Sequence, residues 1–281
     1  MTRYVSCLLL LLAPMQSAIC ATTILTWHGH AAFEIITPNG KVLMIDPWLK
    51  NPVNPAAKNG RDPLADIKQV DYILLTHGHS DHIGEAVALA KNTWARLVAN
   101  AELGANLAKL YGYPKEQMGY DTLMNMGGEI TIADGEVLVA MVPAIHSSSL
   151  GNPYADDAGP DRVYAGNPAG FIIKIKHGPT IYHSGDTAYF SDMKLIGDTY
   201  APDVALINIG GHYGMEPPMA VKAAMAVRAK IVIPMHYATL PVLTQDPKPF
   251  LDGLKHTRLR GLLMTPGGSL VFEGKNIKAM R

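Results

Sequence analysis

The chain has 281 residues, of which 48% are apolar and 17% charged, a balance that can bury a substantial core and argues against disorder. Lysine plus arginine (24) equals aspartate plus glutamate (24) with no block of like charge, so the electrostatic footprint of a nucleic-acid binder is missing. The length fits one large α/β domain or two small ones.

The N-terminus reads as an export leader. Arg3 gives a positive start, Val5 to Leu12 is an almost continuous apolar run, and Ser17, Ala18, Cys20 and Ala21 offer small residues for cleavage near positions 18–21. The run is well short of the roughly 20 residues a bilayer needs, so residues 1–21 are expected to be a cleaved signal peptide rather than an anchor. A lipid attached at Cys20 is the other reading, weakened by bulky Ile19 where a small residue is wanted. Cys7 and Cys20 are the only cysteines. The mature domain, residues 22–281, is therefore expected to use no disulfide and no thiolate ligand, to stay out of the membrane, and to be periplasmic or secreted.

Beyond the leader, Thr22 to Trp27 and Ala32 to Thr37 are β-rich, and Pro38-Asn39-Gly40 predicts a hairpin into Val42 to Ile45. A Pro/Asn-rich loop, Asn51 to Pro63, precedes the buried-strand run Tyr72-Ile73-Leu74-Leu75. Ile83 to Asn92 and Leu103 to Tyr111 carry helical spacing, and Asp134-Gly135 predicts a second hairpin between Glu129 to Ile132 and Val137 to Val142. Ser147 to Ala169, rich in Gly, Pro, Asn and Asp, reads as a long loop of the functional or mobile kind. His177-Gly178-Pro179 predicts a third hairpin, between Phe171 to Lys176 and Thr180 to Tyr182. Strands at Val204 to Ile209, Ile231 to Pro234, Leu262 to Met264 and Ser269 to Phe272, with helices at Pro218 to Arg228 and Pro247 to Lys255, complete the chain. Hairpins mixed with strand–helix units indicate an α+β layered sandwich with mixed sheets.

The strongest chemical signal is His77-Gly78-His79-Ser80-Asp81-His82. On extended backbone leaving a strand, His77 and His79 face the same side and can share one metal. Asp81 and His82 follow at a turn into a helix, where they can reach a second ion, and Asp81 could also cap that helix. Histidine and carboxylate at this spacing suit Zn²⁺ first, with Mn²⁺ or Fe²⁺ as alternatives. His146, Asp186 and His236 each stand at a predicted strand exit, where loops build sites at one sheet edge. Any one of them alone is more often structural than a ligand.

The run His-x-His-x-Asp-His, then His146, Asp186 within Ser184-Gly185-Asp186-Thr187, and His236, resembles the metallo-β-lactamase superfamily. The closer similarity is to its small bacterial metal-dependent hydrolases, related to the ascorbate-6-phosphate lactonases. Supporting stretches are Trp27-His28-Gly29-His30, Ile45-Asp46-Pro47-Trp48, Ser191 to Gly197, Asn208-Ile209-Gly210-Gly211 and Ile233-Pro234-Met235-His236-Tyr237, so the similarity spans about Thr23 to Phe272. The resemblance implies a four-layer αββα sandwich with two mixed β-sheets and two divalent metal ions at one edge. His77, His79 and His146 would hold one ion, Asp81, His82 and His236 the other, and Asp186 would bridge them. A hydroxide between the metals would attack a small ester, lactone, amide or phosphoester.

Asp46 would accept a hydrogen bond from a ligand histidine and fix its tautomer. Asp81, His30 and His212 are the candidates for direct catalytic work, with a surface or packing role as the other reading of the two histidines. His183 is expected to point into the sheet, and His28, His177 and His256 to be surface or packing residues. Ser147-Ser148-Ser149 lacks an acid–base partner at triad spacing and reads as loop polarity. The apparent leader, the His212-Tyr213-Gly214 segment and the length of the Ser147 to Ala169 loop depart from the family, and all bear on substrate. A mononuclear-iron sulfur dioxygenase and a non-catalytic periplasmic metal- or ligand-binding protein are the competing readings.

Overall fold

The computed structural model describes residues 22–151, 153 and 161–281; the expected leader, with Cys7 and Cys20, lies outside the described residues. Among these residues the backbone forms two large sheets and a small ribbon. The first sheet runs, in spatial order, Asn276–Met280, Ser269–Glu273, Thr22–Trp27, Phe33–Ile36, Val42–Ile45, Tyr72–Leu74, Arg96–Asn100 and Leu123–Met124. The second runs Arg260–Gly261, Ile231–Met235, Val204–Asn208, Thr180–His183, Ala169–Ile175, Val137–Pro143 and Glu129–Ile132.

Side-chain alternation divides the core into layers. In the first sheet Leu43, Ile45, Leu74 and Val98 join a cluster with Val139, Phe171 and Ile173 of the second sheet. Their neighbours Met44, Ile73, Leu75, Leu97 and Ala99 pack instead with Ala86, Leu89, Ala90 and Leu103 from the helices Ala86–Thr93 and Ala101–Asn106. A period of two thus sends alternate residues to opposite faces, and burial on both faces explains the unbroken apolar runs. The helices Met193–Tyr200, Pro217–Val227 and Lys248–Leu254 pack on one another and cover the second sheet. The result is an α+β sandwich of helix, sheet, sheet and helix. No described helix is long and apolar enough to cross a membrane.

All three turn signals join antiparallel neighbours: Phe33–Ile36 with Val42–Ile45, Glu129–Ile132 with Val137–Pro143, and Ala169–Ile175 with Thr180–His183. The expected helix from Ile83 to Asn92 is instead two pieces, Ser80–Ile83 and Ala86–Thr93. Gly84 separates them at φ +36°, where a Cβ would sit 2.3 Å from the Trp48 Cα. Asp81 lies inside the one-turn helix, and its N-cap position belongs to His79, so the capping role does not arise. The Ser147 to Ala169 segment is not wholly loop, because Ser149–Gly151 and Arg162–Tyr164 pair into an antiparallel ribbon.

That ribbon rests directly on the His77–His79 segment. The Gly78 amide donates to Ser148 Oγ at 3.2 Å, and a Cβ on Gly78 would meet the Ala165 Cβ at 2.5 Å and the Ser149 carbonyl at 3.2 Å. The glycine between the two histidines is therefore a packing requirement. Gly78→Ala is expected to lower stability by about 1–3 kcal/mol through overpacking, read as a fall of several degrees in thermal midpoint; an unchanged midpoint would show that the ribbon yields freely.

Candidate metal centre

Parallel strands of both sheets end at one edge. Val42–Ile45 lies parallel to Tyr72–Leu74, and Thr180–His183, Val204–Asn208 and Ile231–Met235 are mutually parallel. Asp46, the His77 run, Asp186 and His236 follow directly from the C-terminal ends of these strands, the usual position for ligand sites in α/β sheets. His146 enters from the exit of Val137–Pro143.

These residues converge. One group joins His77, His79 and His146; a second joins Asp81, His82 and His236 with His30; a third joins His77, His82 and Asp186, each with ligand atoms within 4.8 Å. Asp186 Oδ2 stands between the groups, 3.3 Å from His82 Nε2, 3.1 Å from His236 Nε2 and 3.7 Å from His146 Nε2. His77, His82, His236 and Asp186 are buried, whereas His79 and His146 are partly exposed and form the open side.

Hydrogen bonds around the cluster set which nitrogens are free. Asp46 is fully buried; its Oδ1 accepts from the Thr76 amide at 2.9 Å, and its Oδ2 accepts from Thr76 Oγ1 at 2.6 Å and His82 Nδ1 at 2.7 Å. With its proton committed to Asp46, the Thr76 hydroxyl accepts from His77 Nδ1 at 3.0 Å. His77 Nε2 is left with a lone pair 2.9 Å from His79 Nδ1, while His79 Nε2 meets Ser147 Oγ at 3.3 Å. Asn208 Nδ2 donates to Asp186 Oδ1 at 2.6 Å, and its amide is oriented by the Gly210 amide on its Oδ1 at 2.8 Å.

His30 is likewise buried, with Nε2 at 3.1 Å from Asp81 Oδ2 and Nδ1 at 2.6 Å from Thr239 Oγ1. The carboxylate can only accept, so Nε2 carries the hydrogen and Nδ1 accepts from Thr239. His30 therefore orients Asp81, with its ring centroid 3.8 Å from that of His236.

Charge is strongly coupled here. Burial opposes a positive charge on His82, but Asp186 and Asp46 outweigh it and hold its pKa well above the ordinary value. Burial likewise opposes charge on His236, which Asp186 and Asp81 nevertheless raise to about 9. Burial also opposes the anionic form of Asp186, yet His236 and His82 hold it well below the usual carboxylate range. Asp81 follows the same logic, with His236 and His30 overcoming burial. Burial and then His146 push His79 down to about 4, and burial and then His236 push His30 to about 3.

This donor set fits divalent cations. His82 Nε2 and both ring nitrogens of His236 are buried with no hydrogen-bond geometry to any partner among the described residues. His82 Nε2 and His236 Nε2, directed at Asp186 without hydrogen-bond geometry, suit coordination, and histidine with aspartate is a Zn²⁺, Mn²⁺ or Fe²⁺ set.

A cavity of about 640 Å³ opens over the cluster, and His79, Asp81, His146, Asp186 and His236 contribute to its lining. His212 does not reach the cluster: it is exposed, its ring packs against Tyr213 at 4.5 Å, and only Tyr213 lines the cavity. The chain turns at Gly211 (φ +74°) and directs His212 outward, so its expected catalytic placement is not realised. His183 does point into the fold, where Nε2 donates to the Ala31 carbonyl at 3.0 Å and Nδ1 accepts from the Gly185 amide. Thr76, Asn208 and Thr239 were not singled out by sequence; a lone Thr or Asn carries no spacing signal, although Thr76 directly precedes His77 and Asn208 lies in a recognised stretch.

Comparisons with known proteins agree with this architecture. A family model for the β-lactamase superfamily domain matches residues 41–237. A UPF0173 metal-dependent hydrolase of Thermodesulfovibrio yellowstonii is 49% identical over 243 residues, covering 86% of this chain and 88% of that protein. Another from an Anaeromyxobacter species is 46% identical over 252 residues, covering 89% and 87%. Among solved structures, Igni18, a metallo hydrolase from the archaeon Ignicoccus hospitalis, matches with a TM-score of 0.74 at 35% identity, covering 90% and 99%. The layered fold with its metal-ligand cluster at one edge is that of the metallo-β-lactamases, and the chain belongs to that superfamily. Within it, the chain is a member of the UPF0173 family of metal-dependent hydrolases.

Proposed function

We propose that the chain is a dinuclear hydrolase in which His77, His79 and His146 would hold one divalent ion and Asp81, His82 and His236 the other, with Asp186 available to both. The observation that carries this reading is the position of Asp186 Oδ2, within 3.7 Å of imidazole nitrogens from both groups. A bound pair would supply a deprotonated water at neutral pH and would polarise the scissile carbonyl or phosphoryl group. The protein's own residues do the rest. Asp46 and Thr76 fix the imidazole tautomers, Asn208 aims Asp186, and His30 with Thr239 holds Asp81. No side-chain nucleophile is required, and the substrate is a small ester, lactone, amide or phosphoester able to enter the cavity. Zn²⁺ is the first choice of ion, and residues 1–21, read as an export leader, support a periplasmic or secreted location.

Metal analysis and a substrate panel test this together. The expected result is two divalent ions per chain, hydrolysis of at least one ester, lactone or phosphodiester, loss of activity on chelation and recovery on adding Zn²⁺ or Mn²⁺. A single iron per chain would favour the dioxygenase instead, and a fully loaded protein inert across the panel would favour a binding role. The mature protein recovered from a periplasmic fraction should begin near residues 18–22.

A further inference from the structure

The walls of the cavity differ from its floor. Trp48, Leu240, Leu243 and Tyr213 give an apolar side, with Tyr213 58% and Leu240 38% exposed. Opposite in character is Arg162, which among the described residues is the one arginine or lysine lining the cavity. Arg162 is exposed, and Nη1 donates to Ser149 Oγ across the ribbon at 3.2 Å. Among the described residues no carboxylate pairs with it, nor with Arg258, Arg260 or Arg281, whereas Arg61, Arg96 and Arg228 each pair with an aspartate; Arg162 differs from all of these in lining the cavity. The cavity's own carboxylates are engaged by imidazoles, Asp81 by His30 and Asp186 by His82 and His236.

The ribbon that carries Arg162 is anchored through its backbone. Tyr111 Oη donates to the Gly151 carbonyl at 2.8 Å, Asn106 Nδ2 to the Tyr164 carbonyl at 2.7 Å, and Ser148 Oγ to the Ala165 carbonyl at 3.0 Å. Both strands of the ribbon are thus tied to the first-sheet side of the fold, and Gly78 locks the ribbon to the histidine run. A guanidinium with one of its donors used among the described residues, on a ribbon hydrogen-bonded to the fold beside the same cavity, matches a planar or tetrahedral oxyanion.

We propose that Arg162 anchors an anionic group of the substrate, a carboxylate or a phosphate, while the apolar part lies against Trp48, Leu240 and Leu243. This rests on the hydrolase reading for the bond that is cleaved, but the anion site itself can be tested without turnover. Glutarate and inorganic phosphate are titrated calorimetrically into the full metal-loaded mature chain and into its Arg162→Gln and Arg162→Lys variants. Metal content is measured in each, and all are expected to match because Arg162 touches none of the cluster. The expected result is a loss of about 10- to 100-fold in affinity for one probe in Arg162→Gln, the range for a hydrogen bond to a charged group, with Arg162→Lys in between. Loss confined to glutarate assigns a carboxylate substrate, and loss confined to phosphate a phosphorylated one. Equal affinity of both probes in wild type and Arg162→Gln would assign anion binding to the metals and overturn the proposal; absence of binding to wild type would overturn it too.

A kinetic arm separates the two readings. For 4-nitrophenyl hemiglutarate against its neutral methyl ester, the ratio of kcat/KM should favour the anion and fall about 10- to 100-fold in Arg162→Gln. Hydrolysis of neither ester or of any panel substrate would count against the hydrolase reading, while the calorimetric result would still decide the anion site.

Discussion

Replacing Asp186 with alanine is expected to leave the chain with at most one tightly bound divalent ion and to lower kcat/KM on any substrate it turns over by on the order of 10³-fold or more, an electrostatic loss at the reacting centre. The size of the effect follows from the position of one oxygen. Asp186 Oδ2 is within 3.7 Å of nitrogens from His82, His236 and His146, so its removal withdraws the negative charge shared by both ligand groups. The fold should survive. Asp186 is a main reason that His82 and His236 sit above the ordinary histidine pKa, and without it burial favours their neutral forms. Asp186→Asn keeps the shape and removes the charge, and should lose metal almost as severely. The checks are metal content per chain, circular dichroism for folding and kcat/KM. Two ions and full activity in a folded Asp186→Ala protein would sink the bridging assignment.

Much of this site was legible because its chemistry is written in residue types that seldom coincide. Three histidines and an aspartate within six positions announce metal, and His146, Asp186 and His236 gain meaning once each is seen at a strand exit. The same applies to the hairpins, where Pro38-Asn39-Gly40, Asp134-Gly135 and His177-Gly178-Pro179 encode their turns locally. What escaped depends on partners far along the chain. The strand Arg96–Asn100 pairs in parallel with Tyr72–Leu74 only after a helical crossover, and the edge strand Asn276–Met280 carries its polar–apolar alternation over only four residues, Asn276 to Ala279. The last short strand falls at Arg260–Gly261 rather than Leu262 to Met264, although the Leu262 amide still donates to Val232. The ribbon at Ser149–Gly151 and Arg162–Tyr164 was hidden by turn-rich composition, since its pairing is visible only once the ends meet. His212 shows the opposite failure: a histidine in a recognised segment, turned outward by the backbone at Gly211. The orienting residues Thr76, Asn208 and Thr239 are of this kind as well, being ordinary residues made specific by a single contact.

Asp46 tests how far that orienting layer governs the metals. It receives His82 Nδ1 directly and His77 Nδ1 through the Thr76 hydroxyl, so one buried carboxylate fixes an imidazole in each ligand group. Both histidines must present Nε2 lone pairs to coordinate, and both do so only while Nδ1 has an acceptor to donate to. Asp46→Ala would leave buried donors unpaired at about 1–3 kcal/mol each, enough to confuse a metal effect with unfolding. Asp46→Asn avoids the cavity. With the amide oxygen kept on the Thr76 N–H, the amide nitrogen replaces Oδ2 and faces both the Thr76 hydroxyl and His82 Nδ1, so both must turn from donor to acceptor, and His82 then carries its hydrogen on Nε2 and cannot ligate. The expected result is metal affinity weakened about 10- to 100-fold, on both ions, with a cooperative thermal transition retained. Thr76→Val breaks only the His77 branch and should weaken one ion more than the other. Because the two changes act on one chain of hydrogen bonds, the double variant should lose less than the sum of the single losses. Unchanged affinity in Asp46→Asn would make the carboxylate structural. Strictly additive losses would mean that the His77 and His82 branches act independently, so that Asp46 holds the second ion's ligand and leaves the first to other contacts.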